Sequence, residues 1–316
     1  ARRMIARGAA PRAIASLTLA IAAAGCVPAV ADSPPAPKVA AAPMPSPAPS
    51  PAQPPAPKPL PGPADFSFRG SMIQGGTLIG RVPGGTRALT LDGAPVPIAA
   101  DGAFLIAFDR DAPASQQLVA TLADGRKVAR TLSIAAGNWR IENINAPYRG
   151  SASSDAEFER RRPAELAQIA AARAKQVESD GWRQQFRWPA TGRLSGFFGS
   201  QRVYQGKPGS YHSGTDIAVP AGTPFFAPAD GVVVLAADAP FTLEGNLLIV
   251  DHGMGLTSAF LHCQRLDVKV GDRVTQGQQL GTVGATGRAT GPHMHWGLKW
   301  RDARLDPGTL AGPMTR

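Results

Sequence analysis

The sequence predicts a mainly β protein: a small antiparallel β-domain, a short helical connector, then a second, larger antiparallel β-domain, all preceded by unpacked chain. Three observations carry this. Asp-Gly pairs at Asp92-Gly93, Asp101-Gly102 and Asp124-Gly125 separate runs that alternate with period two, the pattern of strands joined by tight turns. A capping signal, Ser154 followed by Glu157, opens the helical stretch. From about residue 187 short apolar runs return, divided by Gly and Pro.

Residues 1–31 read as an export leader. Arg2, Arg3, Arg7 and Arg12 make a basic start, and Ile14 to Gly25 form an apolar run too short to span a bilayer stably. Ala29-Val30-Ala31 fits ordinary leader cleavage, the favoured reading, whereas Ala23-Ala24-Gly25-Cys26 resembles a lipobox that would anchor the chain to a membrane through Cys26. Either route exports the protein to the periplasm or cell envelope. Loss of the leader removes four Arg and no acid, lowering the net charge from +10 to +6, which still favours an acidic surface such as a cell wall. The basic residues are dispersed without interleaved aromatics, so nucleic acid is not an expected partner. Cys263 is the one cysteine outside the leader, which excludes an internal disulfide. No pattern in the chain specifies an oligomeric state.

Residues 32–65 are rich in Pro and Ala and predict an extended tether. Residues 66–136 predict the small β-domain, Ig-like or similar, with Phe104, Ile106 and Phe108, then Leu118, Ala120 and Leu122, on inward faces. It carries no catalytic constellation and reads as a spacer or binding module. The connector spans 137–186. Glu157 and Arg161 are spaced for an ion pair, Pro163 should end or restart the helix, and Leu166, Ile169, Ala170 and Val177 form an apolar stripe that Asp180-Gly181 stops. Residues 187–310 form the second β-domain, with strands expected at 223–226, 231–235, 247–250, 256–261, 268–270 and 279–283, and 311–316 as a tail. The run GTVGATGRATG lacks the Gly-Lys-Ser/Thr that holds a triphosphate and reads as turns.

Chemistry concentrates in this last domain. Of five histidines, four fall at metal-ligand spacing with one acid: His212 and Asp216 in HSGTD, His262 in FLHC, and His293 and His295 in GPHMH. His212 and Asp216 can share an ion only if the chain bends at Ser213-Gly214, where Gly214 would supply backbone freedom. Alternation along a strand places His293 and His295 on one face. His252, in a turn-like Asp-His-Gly, reads as a turn or pocket-rim residue, and Cys263 as a packed thiol.

These runs, with GFFGSQRVYQGKPGSYHSGTDIAVPAGTPFFAPADGVVV, LLIVDHGMGLTSAFLHC, VKVGDRVTQGQQLGTVGATGRATGPHMHWGL and Leu305-Asp306-Pro307, resemble the LytM/lysostaphin-type zinc metallopeptidases, peptidase family M23. The resemblance covers a little over a third of the chain. It implies an enzyme, a zinc metalloendopeptidase that hydrolyses peptide bonds in peptidoglycan, with one Zn2+ per chain held by His212, Asp216 and His295. It implies that His262 and His293 flank the activated water as catalytic residues. Tyr204 and Tyr211, in a loop before the first ligand, are candidates to steady the oxyanion or contact substrate. The rival reading is a non-enzymatic LytM-like activator of cell-wall amidases, and the complete ligand set counts against it.

Overall fold

The computed structural model describes residues 62–147, 156–237 and 239–314, all within one compact unit, Pro57–Arg316. The leader, Cys26, most of the proline-rich stretch and Ser154 lie outside the described residues. No helix among those described is long and apolar enough to cross a membrane.

The first domain consists of two small sheets. Strands β1 (Ser67–Gly70), β2 (Thr77–Arg81), β3 (Thr86–Leu91), β4 (Ala94–Val96), β5 (Ala103–Ala107), β6 (Ser115–Leu122) and β7 (Lys127–Ser133) divide into β1-β2-β5 and β4-β3-β6-β7. Two of the Asp-Gly pairs make hairpins: Asp92 and Gly93 both adopt positive φ between β3 and β4, and Gly125 turns β6 into β7. Asp101-Gly102 does not. It carries the chain from β4 in one sheet to β5 in the other. The expected alternation holds along β6, where Leu118, Ala120 and Leu122 are buried, but β5 is buried at every position because both its faces are covered.

The connector is not purely helical. It opens with β8 (Ile141–Ile144) and then forms α1 (Ala156–Ala174). Pro163 neither ends nor restarts α1. A proline removes one amide donor, and here the freed carbonyl belongs to exposed Glu159, so water can satisfy it. Polar contacts secure the helix on either side of the proline: Arg162 chelates Glu244 at 2.6 and 2.8 Å, and Glu165 accepts from the Thr242 amide and hydroxyl at 2.8 and 2.6 Å. The expected apolar stripe holds in part: Ile169 and Val177 pack against the cluster of Leu247, Ile249 and Ala259, while Ala170 is exposed. Leu166 is exposed, and the buried positions of α1 are Glu165 and Ala172. Glu157 and Arg161 do pair, at 3.5 Å.

The second domain is built on an eight-stranded sheet. It comprises β9 (Arg193–Gly196), β12 (Thr215–Ala218), β14 (Gly231–Ala236), β15 (Asn246–Asp251), β16 (Leu256–Cys263), β18 (Arg273–Val274), β20 (Met294–Trp300) and β21 (Ala303–Leu305). Its order is β18-β14-β15-β16-β20-β12-β9, with β21 beside β20. A second small sheet joins β13 (Pro224–Phe226), β17 (Arg265–Leu266) and β19 (Gln279–Thr282), and α2 (Pro307–Ala311) follows. Residues 268–270 are not a strand. The Asp272 carboxylate accepts the Lys269 amide at 2.9 Å and closes a turn there instead.

The stretch before the first ligand is a hairpin, not a loop: β10 (Gln201–Tyr204) pairs with β11 (Lys207–Tyr211), and β8 adds to it in parallel. Buried Arg110 of the first domain holds this hairpin, donating to the Gly199 carbonyl at 3.0 Å and to Gln201 Oε1 at 3.0 Å, with its guanidinium 4.6 Å from the Tyr211 ring centroid.

Candidate metal centre

Sheet register brings the ligand candidates together. Asp216 on β12 lies opposite His295 on β20, and His295 lies opposite Leu261 on β16, which puts His262 one residue further along. The chain does bend at Gly214, but not for the expected reason. Gly214 has no positive φ; a Cβ there would lie 2.6 Å from His295 Nε2 and from the Trp296 carbonyl. Glycine is required by the close approach of β12 to β20.

Three atoms converge. His212 Nε2 is 3.1 Å from Asp216 Oδ1, His295 Nδ1 is 2.8 Å from the same oxygen, and the two nitrogens are 3.1 Å apart. A tetrahedral ion with bonds of about 2.0 Å holds its donors roughly 3.3 Å apart, so the triangle is close to the size zinc requires. The donor chemistry fits as well. His212 Nδ1 lies 3.2 Å from the Phe197 carbonyl, which can only accept, so this contact favours the Nδ1–H tautomer and leaves Nε2 a lone pair facing a carboxylate. Two acceptors in contact repel unless a proton or a cation lies between them. Burial opposes protonation of His212, but Asp216 outweighs it and raises the pKa. For Asp216, burial works upward, but His212 and His295 hold its carboxyl well below the usual range. For His295, burial comes first and lowers the pKa, against the pull of Asp216. Asp216 held ionised and His295 held neutral are the states a metal ligand needs, and the proton that Asp216 draws to His212 lies where a cation would replace it.

His293 and His262 stand beside this triangle. Their rings are 4.9 Å apart, and His293 Nε2 is 3.7 Å from Asp216 Oδ1. Each has Nδ1 2.8 Å from a backbone carbonyl, Gly291 for His293 and Thr286 for His262, so each keeps Nε2 free as an acceptor. Burial pushes His262 down to about 4, with the Thr286 bond opposing, so the ring is neutral at ordinary pH. His262 also has φ of +62°, a left-handed backbone that costs a non-glycine residue free energy and commonly marks a functional position.

Tyr204 and Tyr211 line a cavity of about 790 Å³ that ends on His212 and Asp216. The Tyr211 hydroxyl is 3.3 Å from Arg304 Nη1, and its ring lies 6.1 Å from that of Phe198. His252 is not a rim residue. It is fully buried, with Nδ1 2.8 Å from the Asp230 carbonyl and Nε2 2.8 Å from Ser258 Oγ, and burial pushes it down to about 4. Cys263 is buried with its thiol pushed up to about 12 by burial.

Three contributors had no signal in the sequence beyond their neighbourhood. A Cβ on Gly196 would lie 2.2 Å from Asp216 Oδ2, so β9 must present glycine to let the carboxylate stand. Thr286, from the glycine-rich run, holds His262 through its carbonyl and accepts the Asn246 amide at 2.9 Å. The Glu244 carbonyl accepts the His262 amide at 2.8 Å.

The family model for Peptidase family M23 matches residues 210–307. The chain is similar to the peptidoglycan DD-endopeptidase ShyA of Vibrio cholerae, 40% identical over 107 residues, which are 34% of this chain and 24% of ShyA. It is also similar to the cell division protein DipM of Caulobacter vibrioides, 34% identical over 128 residues, which are 40% of this chain and 20% of DipM. The chain thus spans about a quarter or less of the length of these relatives. Among solved structures, a Pseudomonas aeruginosa chain described as a candidate M23 peptidase is 32% identical, with a TM-score of 0.59, covering 77% of this chain and 96% of that one.

Proposed function

The chain belongs to peptidase family M23, and from that premise we propose that it is a zinc-dependent endopeptidase that hydrolyses peptide bonds of peptidoglycan in the cell envelope. The observation that carries the proposal is the triangle of His212 Nε2, Asp216 Oδ1 and His295 Nδ1, with two further imidazoles, His262 and His293, beside it. These three residues would hold one zinc. When bound, zinc lowers the pKa of a water toward neutrality and polarises a carbonyl.

The chain's own residues do the rest. Nε2 of one histidine of the pair accepts the proton from water and returns it to the leaving amine, while the other steadies negative charge on the carbonyl oxygen when its own Nε2 carries a proton to donate. Carbonyls on both Nδ1 atoms keep the rings from turning and leave both Nε2 atoms to the reaction. Tyr204 and Tyr211 we assign to the wall of the substrate cavity, which both line, with the Tyr211 hydroxyl 3.3 Å from Arg304 Nη1.

Incubation of the zinc-loaded protein with purified sacculi, followed by mass analysis of what is released, tests this. Soluble fragments with new peptide termini are expected. Release of none while the chain holds zinc would instead favour the amidase-activator reading.

A further inference from the structure

His295 also lines a second cavity, of about 430 Å³, between α1 and the sheet. Its lining is apolar in part, with Ile169 from α1 and Leu261 from β16, but its charge is one-sided. Arg162, Arg173, Lys299 and Arg304 face a single acid, Glu244, and Glu244 is already chelated by Arg162. Arg173 makes no ion pair among the described residues, and its Nε is buried without a hydrogen-bond partner. Burial and the charge of Arg304 push Arg173 down to about 10, and burial and Arg173 likewise lower Lys299. A half-buried guanidinium with an orphaned donor, beside two like charges, weakens the fold unless something negative joins it.

We propose that this cavity is a carboxylate-binding subsite in which Arg173 and Lys299 receive a free carboxylate of the peptide being cut, its aliphatic part lying against Ile169 and Leu261. The proposal rests on the peptidase reading above and adds what the substrate must carry. The first cavity shares His212 and Asp216, and this one shares His295, so a peptide crossing the metal centre enters both. Stem peptides of peptidoglycan bear free carboxylates beside short aliphatic side chains, which matches an apolar floor with a cationic wall. A guanidinium fork suits a planar carboxylate, and Arg173 would be a specificity-determining residue supplied from the connector.

The test is binding, measured by calorimetry on the full chain, of a synthetic stem peptide with free carboxylates and of its amidated twin. Wild type should bind the free form about tenfold more tightly, the worth of one charge-assisted bond. Arg173→Gln should abolish that preference, Arg173→Lys should keep part of it, and the unliganded Arg173→Gln protein should melt no lower than wild type, since a structural role would lower its melting temperature. Equal binding of the twins by wild type, or a preference that survives in Arg173→Gln, overturns the subsite. If wild type cuts no sacculi yet prefers the free carboxylate through Arg173, the peptidase reading falls and the anion site stands.

Discussion

Gly196 and Gly214 show how little room the metal centre leaves. A methyl on Gly196 would occupy the space of the Asp216 carboxylate, so Gly196→Ala should lower zinc affinity at least about tenfold, in line with loss of a supporting contact. Competition with a chromogenic chelator would read it, and unchanged affinity would show that the carboxylate can move aside. The ligand candidates were legible because scarce histidines clustered at metal spacing. The glycines were not, since nothing local distinguishes a glycine kept for crowding from one kept for a turn. His252 was half misread for the same reason: Asp-His-Gly does form the turn between β15 and β16, but only the fold shows Phe186, Asp230 and Ser258 closing round the ring. Its depressed folded pKa has a sign. The unfolded imidazole, with a pKa near 6.5, binds a proton that the folded one refuses until about 4. Stability from His252 is therefore complete above pH 6.5 and is lost as pH falls from 6.5 to 4, by roughly 3 kcal/mol at most. Urea midpoints across this range should fall in wild type and fall less steeply in His252→Gln.

Helix α1 acts at the next scale. Arg162 grips Glu244, the Glu244 carbonyl accepts the His262 amide, and His262 holds a backbone conformation that must be imposed from outside. Arg162→Met should therefore lower kcat by about tenfold or more through a displaced His262, while zinc stoichiometry stays at the wild-type value. A loss seen only in KM would contradict this positioning role. Periodicity located the helix but not its purpose. Its docking face is polar in the first half, Arg162 and Glu165 reaching the 242–244 loop, and apolar only further along at Ile169 and Ala172, whereas pattern reading looks for apolar stripes. Pro163 misled similarly, because its cost depends on whether the freed carbonyl meets water, which is a matter of tertiary exposure.

Across the whole molecule, the upstream parts complete the second β-domain. β8 adds a strand to the β10–β11 hairpin, Arg110 pins that hairpin from the first domain, and α1 braces His262. The isolated fragment 187–316 should accordingly melt lower and cut more slowly than the full chain, as scanning calorimetry and sacculus digestion would show; a faster fragment would mean that the upstream parts obstruct the site. The mainly β class and, in the second domain, β13, β14, β15, β16 and β19 were legible, since Gly-punctuated alternation is a local property. Which strands pair, and that a connector strand joins the hairpin, were not, because β pairing is decided by partners distant in sequence.

The most direct measurement sets metal content beside sacculus cleavage for wild type, His295→Ala and His262→Ala. One zinc per chain is expected in wild type and in His262→Ala, far less in His295→Ala, and cleavage by wild type alone. Cleavage by His295→Ala without metal, or full activity in His262→Ala, would contradict the division between ligands and proton carriers.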